Sequence, residues 1–116
     1  MKKVTIWHNP RCSKSRETLA LLQARNIDPE IVEYLRTPPS EAEIAHVLTL
    51  LALKPRDLMR NNESVYQELK LDDPSLTQQA LISAMHRHPI LIQRPVVLTD
   101  NKARVGRPPE AVLEIL

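Results

Sequence analysis

The stretch that decides the fold is residues 3–34, "KVTIWHNPRCSKSRETLALLQARNIDPEIVEY". Residues 3–7 form a short run rich in β-branched side chains, which predicts a strand. Residues 13–25 then place apolar side chains at helical spacing, and residues 30–34 form a second β-branched run. Strand, helix and strand within so short a span predict a βαβ unit, with parallel strands and a right-handed crossover.

The middle of the chain is predicted to be helical. Ser40 and Glu43 have the spacing of a capping box, in which each residue satisfies the backbone N–H of the other at the start of a helix. Apolar residues follow at helical spacing, and no strand signal interrupts them. Further short helical pieces are predicted over residues 55–60, 65–69 and 77–87.

Strands return near the end of the chain. "RPVVLT" at 94–99 and "NKARVG" at 101–106 predict the two strands of a hairpin, and Pro108-Pro109 predicts a last helix that continues to Leu116. The element order is β-α-β, a helical insertion over about residues 37–88, and β-β-α. This order predicts an α/β fold of the thioredoxin-like type, with a mixed four-stranded sheet, in a single domain over residues 1–116.

Composition and charge exclude several classes of protein. The 16 basic and 14 acidic residues give a net charge of +2, too small for a general nucleic-acid binder. The apolar run at the N-terminus is too short for a signal peptide, and no apolar stretch reaches the length of a membrane span. We therefore expect a soluble, cytoplasmic protein that has no membrane association, and from its size a monomer.

The single cysteine, Cys12, lies where the first strand gives way to the first helix. Unpaired N–H groups and the helix dipole at that position favour a thiolate over a thiol, and His8 and nearby basic residues add positive or donor groups. The pattern predicts a reactive nucleophile, against the simpler alternative of a half-buried small residue. Ser13 and Ser15 could donate to a bound anion, although a role as helix N-cap fits their residue type better.

Spacing excludes two known cysteine chemistries. Phosphatase anion loops need an arginine six positions after the cysteine, where this chain has Thr18. A dithiol motif needs a second cysteine three positions away, where the chain has Asn9 and Ser15. With one cysteine and no clustered carboxylates, we expect no metal site. Any disulfide that Cys12 forms must be opened by an external thiol.

Three separated stretches, "HNPRCSKSRETL", "HPILIQRPVVLT" and "ARVGRPPEAVLEIL", resemble the glutaredoxin-dependent arsenate reductases. The resemblance implies that Cys12 attacks arsenate, that His8 helps to keep the thiol ionised, and that Pro95 follows a cis peptide bond. It also implies glutathione as co-substrate, glutaredoxin as partner and no bound cofactor. The residues that it assigns to the oxyanion are Arg60, Arg94 and Arg107.

Two other functions stay open from the sequence. One is a redox regulator of thioredoxin fold that binds RNA polymerase, although such regulators usually carry a second cysteine where this chain has Ser15. The other is a glutathione-dependent thiol reductase with a different substrate. The three matched arginines favour the oxyanion enzyme, since guanidinium groups bind tetrahedral oxyanions through paired, charge-assisted hydrogen bonds.

Overall fold

The computed structural model describes residues 3–116, and their contacts divide into two compact units. The first combines the N-terminal segment up to Thr37 with Arg94–Leu116, and the second is Pro38–Gln93. The prediction of a single domain that carries an insertion over residues 37–88 stays a prediction.

The first unit holds a four-stranded mixed sheet of order β2-β1-β3-β4. β1 pairs in parallel with β2 and antiparallel with β3, which pairs antiparallel with β4. The predicted α/β fold with a mixed four-stranded sheet is confirmed. The strands are β1 (Thr5–Trp7), β2 (Glu30–Val32), β3 (Val96–Leu98) and β4 (Ala103–Val105).

The register of the sheet brings four chain segments to one end. Trp7 pairs with Val32 on one side and with Val96 on the other, and Val96 pairs with Val105. The residues that follow β1, β2 and β4 therefore lie beside those that precede β3. The strands are shorter than predicted, because a β-branched pattern does not mark where backbone pairing stops.

Helix α1 (Ser13–Ala24) follows β1, and its buried Leu22 packs in the core of this unit. The last element, Pro109–Ile115, is a 3₁₀ helix and not the predicted α-helix. It packs against α1 and β4. The core of the unit unites the sheet, α1 and this last helix through Val4, Ile6, Leu22, Val97, Val112 and Ile115.

The second unit is helical, as predicted. It contains α2 (Glu41–Leu51), α3 (Ser64–Glu68) and α4 (Gln78–Arg87), with 3₁₀ segments at Pro55–Leu58 and Pro89–Leu91. The predicted capping box is confirmed: Glu43 N donates to Ser40 Oγ at 3.1 Å, and Ser40 N donates to Glu43 Oε1 at 2.9 Å. α2 and α4 pack together through apolar faces.

Candidate functional site

The loop between β1 and α1 is held by a short set of hydrogen bonds. His8 N donates to Val32 O at 2.8 Å, which continues the pairing of β1 with β2 beyond Trp7. Asn9 then closes the turn: its carbonyl accepts from Cys12 N, and its Oδ1 accepts from Arg11 N, both at 3.0 Å. The loop therefore delivers Cys12 to the start of α1 in a fixed position.

Cys12 itself is the N-cap of α1, with an extended backbone (φ −94°, ψ 124°). The interpretation of Ser13 and Ser15 as N-cap residues is wrong, since Ser13 is the first helical residue. Ser15 is fully buried and bonds backwards: its Oγ accepts from Asn9 N at 3.0 Å and lies 2.7 Å from His8 Nδ1. The serine side chain thus ties the helix start to the loop.

The surroundings of Cys12 favour its ionised form. Burial alone would raise the pKa of this thiol, but hydrogen bonds from Ser15 N–H, the Arg94 side chain and Lys14 N–H outweigh it, so the pKa lies below its ordinary value. Helix N–H groups and a guanidinium act on sulfur in the same direction, because both stabilise negative charge. The thiol lies at the helix N-terminus where the sequence placed it, and its ionisation near neutral pH stays a prediction.

Two arginines of the first unit converge on the thiol. Arg94 lies two residues before β3, and Arg107 lies two residues after β4, so the hairpin register sets them side by side. Arg107 Nη2 lies 3.7 Å from Cys12 Sγ, while its Nε donates to Arg94 O at 2.8 Å. The side chain of Arg94 also hydrogen-bonds Cys12.

The side chain of Arg94 has N–H donors that are not used within the described part of the chain. Its Nε and Nη1 are buried and have no hydrogen-bond partner among the described residues. Burial would lower the pKa of this arginine, but the contacts with Cys12 and with the buried Tyr34 raise it above its ordinary value. A permanently charged guanidinium with unused N–H groups beside a thiolate is suited to an oxyanion ligand.

The loop that joins β4 to the last helix is shaped around Gly106. Its N donates to Pro95 O at 2.9 Å, and a Cβ at this position would lie 2.6 Å from Thr18 Oγ1 and 2.8 Å from Pro95 Cγ. Only glycine allows the approach. The Arg94–Pro95 bond is cis, as the resemblance implies, and Arg107–Pro108, for which no isomer was predicted, is cis as well.

His8 is buried, and its ring nitrogen Nδ1 lies 2.7 Å from Ser15 Oγ. Among the described residues, the hydrogen bond of the ring goes to Ser15 and not to the Cys12 thiol. Burial lowers its pKa, the Glu33 carboxylate opposes that shift, and Arg16 adds to it; the net pKa lies below the ordinary value. The imidazole is therefore neutral near pH 7. Its structural effect on Cys12 passes through Ser15.

Arg60 belongs to the second unit, where it follows the Pro55–Leu58 segment. Its backbone N donates to Leu91 O, and its Nε donates to Glu63 Oε1 at 3.2 Å. Both side chains of this ion pair are mostly buried, with 15% and 23% of their area exposed.

The structure thus brings together Cys12, Ser15, Arg94, Pro95 and Arg107, with His8 linked through Ser15. Two functional neighbours were missed from the sequence, Tyr34 and Glu63. Glu63 had a usable signal, because a carboxylate three residues after an arginine is within ion-pairing reach. Tyr34 had none, since only the sheet register places it near Arg94.

Across residues 3–116, no three His, Cys, Asp or Glu side chains cluster as a metal site requires. In the same range, no helix has the length and apolar character needed to cross a bilayer.

Known proteins resemble this chain in sequence and in fold. The ArsC family model matches residues 7–115. An arsenate reductase of Neisseria meningitidis is 46% identical over 117 residues and covers 100% of both chains. One of Escherichia coli is 42% identical over 116 residues, covering 100% of this chain and 82% of its own. The solved arsenate reductase of Vibrio cholerae superimposes with a TM-score of 0.97, at 51% identity, over 99% of this chain and 98% of the other. With this match along nearly its whole length and the thioredoxin-like core described above, the chain belongs to the ArsC family.

Proposed function

We propose that this chain is an arsenate reductase that produces arsenite with glutathione and glutaredoxin. The observation that carries the proposal is the pairing of an activated thiol with two guanidinium groups, one of which has buried N–H donors free. Relatives that match this chain over its whole length at 42–46% identity are named arsenate reductases. The thiol gives a nucleophile, and the arginines give a place for its oxyanion partner.

In the first step, the Cys12 thiolate attacks arsenic, a sulfur–arsenic bond forms, and one arsenate oxygen leaves as water after taking up protons. Both reactants are negatively charged, so their approach is opposed by charge repulsion. Arg94 and Arg107 offset this repulsion, and the free Nε and Nη1 of Arg94 donate to the oxyanion. Arg60 is assigned to the same anion on the resemblance alone.

In the second step, the glutathione thiolate attacks Cys12 sulfur. A sulfur–sulfur bond forms, the sulfur–arsenic bond breaks, and its electron pair stays on arsenic, which leaves as arsenite. Glutaredoxin then attacks the glutathione sulfur of the mixed disulfide and releases the Cys12 thiolate. An external thiol is needed because the chain has one cysteine.

His8 has a supporting role in this proposal. By holding Ser15, it fixes the N–H that stabilises the Cys12 thiolate. No metal or bound cofactor enters the scheme, and a free thiol of this kind operates in a reducing compartment, which we propose is the cytoplasm.

The test is a steady-state assay of arsenite formation with glutathione and glutaredoxin. Wild-type protein should turn over, and Cys12→Ser should lose activity completely, with Ser13→Ala as the matched control at the next position. No arsenite from wild-type protein, or equal rates in Cys12→Ser, would refute the proposal. Reduction of a glutathionylated peptide without arsenite formation would instead favour a thiol reductase.

A further inference from the structure

A cleft of about 600 Å³ lies on the first unit, beside the loop that leads into Cys12. One wall is residues 8–11, and the other is formed by Glu33, Leu35 and Arg36, which follow β2. Neither Cys12 nor the two arginines of the thiol site line it. Its volume is in the range of small-ligand clefts, and the oxyanion chemistry described above leaves it unused.

The charges in the cleft are mixed. Arg11 and Arg36 contribute two positive charges, Glu33 contributes one negative charge, and the buried His8 is neutral near pH 7. The cleft therefore has a formal charge of +1, with both signs represented. A simple oxyanion would be repelled by Glu33, whereas a zwitterionic ligand with an excess of carboxylates would find a partner for each end.

The charged side chains are available to a ligand. Arg36 Nη1 lies 4.0 Å from Glu33 Oε1, and the two side chains are 82% and 43% exposed. An exposed pair at that distance contributes little, so exchanging it for contacts with a ligand costs little. Arg11 is exposed and has no side-chain partner among the described residues, and Leu35 adds an apolar surface that is 37% exposed.

The cleft also has a fixed relation to the nucleophile. Its wall includes Asn9 and Arg11, and Asn9 is bonded to Cys12 N and to Ser15 Oγ. Adjacent α-carbons are about 3.8 Å apart, and an extended tripeptide spans about 10 Å. The central side chain of a tripeptide held in the cleft can therefore reach Cys12, the residue next to Arg11.

We propose that this cleft binds the reducing co-substrate, a peptide thiol with two carboxylates and one ammonium, and that it presents the thiol of this ligand to Cys12. Glutathione, the reductant in the proposed function, has this chemistry and a net charge of −1. Arg11 and Arg36 bind its carboxylates, and Glu33 binds its ammonium group. The inference rests on the proposed function for its ligand, but the site can be tested without arsenate.

The experiment measures binding of S-methylglutathione, which has no free thiol, to the full chain by calorimetry and by amide chemical shifts. Shifts should concentrate at residues 8–11 and 33–36. Arg11→Ala and Arg36→Ala should each weaken binding by about tenfold, the scale of one charge-assisted hydrogen bond. Arg25→Ala, which removes the same charge from an exposed arginine at the end of α1, should leave binding unchanged.

A second pair of ligands tests the role of Glu33. Glu33→Gln should weaken the binding of S-methylglutathione. It should change the affinity for the N-acetylated form, which lacks the ammonium group, by no more than about twofold. In the assay of arsenite formation, Arg11→Ala and Arg36→Ala should raise the KM for glutathione and leave the KM for arsenate unaltered.

Binding that is equal in wild type, Arg11→Ala and Arg36→Ala, or shifts elsewhere on the chain, would overturn the inference even if arsenate is reduced. Conversely, binding in the cleft without any arsenite formation would support this site and refute the proposed function. The two failures are therefore distinguishable.

Discussion

The arginines of the two units have the same side chain but different surroundings. In the first unit, Arg94 and Arg107 face the Cys12 thiol, and neither is paired with a carboxylate among residues 3–116. In the second unit, the Nε of Arg60 is already bonded to Glu63 in a mostly buried ion pair. The resemblance assigned all three to the oxyanion equally, yet only Arg60 is paired with a carboxylate.

This difference shows that a guanidinium is available to an oxyanion according to what else it bonds. The Nε and Nη1 of Arg94 make no hydrogen bond to another described residue, so these two groups can donate to an incoming anion. At Arg60, the Glu63 carboxylate offsets the positive charge and occupies one donor, which leaves the remaining N–H groups for a ligand. The thiol-facing arginines should therefore contribute more to arsenate reduction than Arg60.

The largest effect is expected for Arg94→Ala. It removes the free donors and the hydrogen bond to the thiol, and should lower kcat/KM for arsenate by an amount equivalent to about 2–4 kcal/mol. Arg107→Ala should cost less, because its contact with the Cys12 sulfur is exposed to solvent. Arg104→Ala, on β4 and paired with Glu114, is the matched control. Unaltered kcat/KM in Arg94→Ala would remove the contrast between the units.

Gly106→Ala should perturb the first unit alone. The new Cβ would collide with Thr18 and Pro95, so we expect the free energy of unfolding to fall by about 1–3 kcal/mol, measured by denaturant titration. Adding Thr18→Ala removes one of the two collisions and should recover part of the lost free energy of unfolding. The effects of the two substitutions would then be non-additive. A fully stable Gly106→Ala protein would contradict the close approach described for this loop.

Glu63→Gln sharpens the comparison from the side of the second unit. The amide keeps an acceptor for Arg60 Nε but removes the negative charge, so the KM for arsenate should fall by about two- to fivefold if Arg60 binds the anion. Arg60→Ala should raise the same KM. If both variants have the KM of the wild type, Arg60 is no part of the arsenate site, and all of the charge comes from the first unit.

The smallest effect concerns pH. Because the pKa of Cys12 is lowered in the folded protein, the unfolded chain binds more protons between that value and the free-thiol value of about 8.5. The stability contributed by the thiolate is complete above about pH 8.5 and is lost as pH falls through the folded pKa. Denaturant titrations of wild type and Cys12→Ser across this window should diverge as pH rises. Parallel curves would show that Arg94 and the helix N–H groups leave the thiol unperturbed.

Much of the fold was predictable because it depends on patterns among residues that are close in sequence. The capping box at Ser40 and the strand–helix–strand order of residues 3–34 depend on neighbours in sequence, and both are confirmed. The thiol at a helix N-terminus follows from the same local order. The role of Ser15 was misjudged because residue type favours a cap, whereas the path of residues 9–12 sets the helix start one residue after Cys12.

Other parts of the candidate site depend on long-range geometry. Arg94 and Arg107 meet because Val96 pairs with Val105, and a sequence does not reveal the register of so short a hairpin. The contact of Tyr34 with Arg94 requires the strand order β2-β1-β3, because Tyr34 follows β2 and Arg94 precedes β3. The Glu33–Arg36 side of the cleft has the composition of an ordinary solvated surface, and only its position beside the nucleophile loop distinguishes it.

The single thiol has a practical consequence for following the reaction. Because the 116 residues contain one cysteine, each change in the mass of the intact chain during the reaction can be assigned to Cys12. A bare sulfur, an arsenic adduct and a glutathionyl adduct differ in mass, and no internal cross-link can redistribute them between sites. Rapid quenching and whole-protein mass spectrometry can therefore count each species directly and order the steps in time, without peptide mapping.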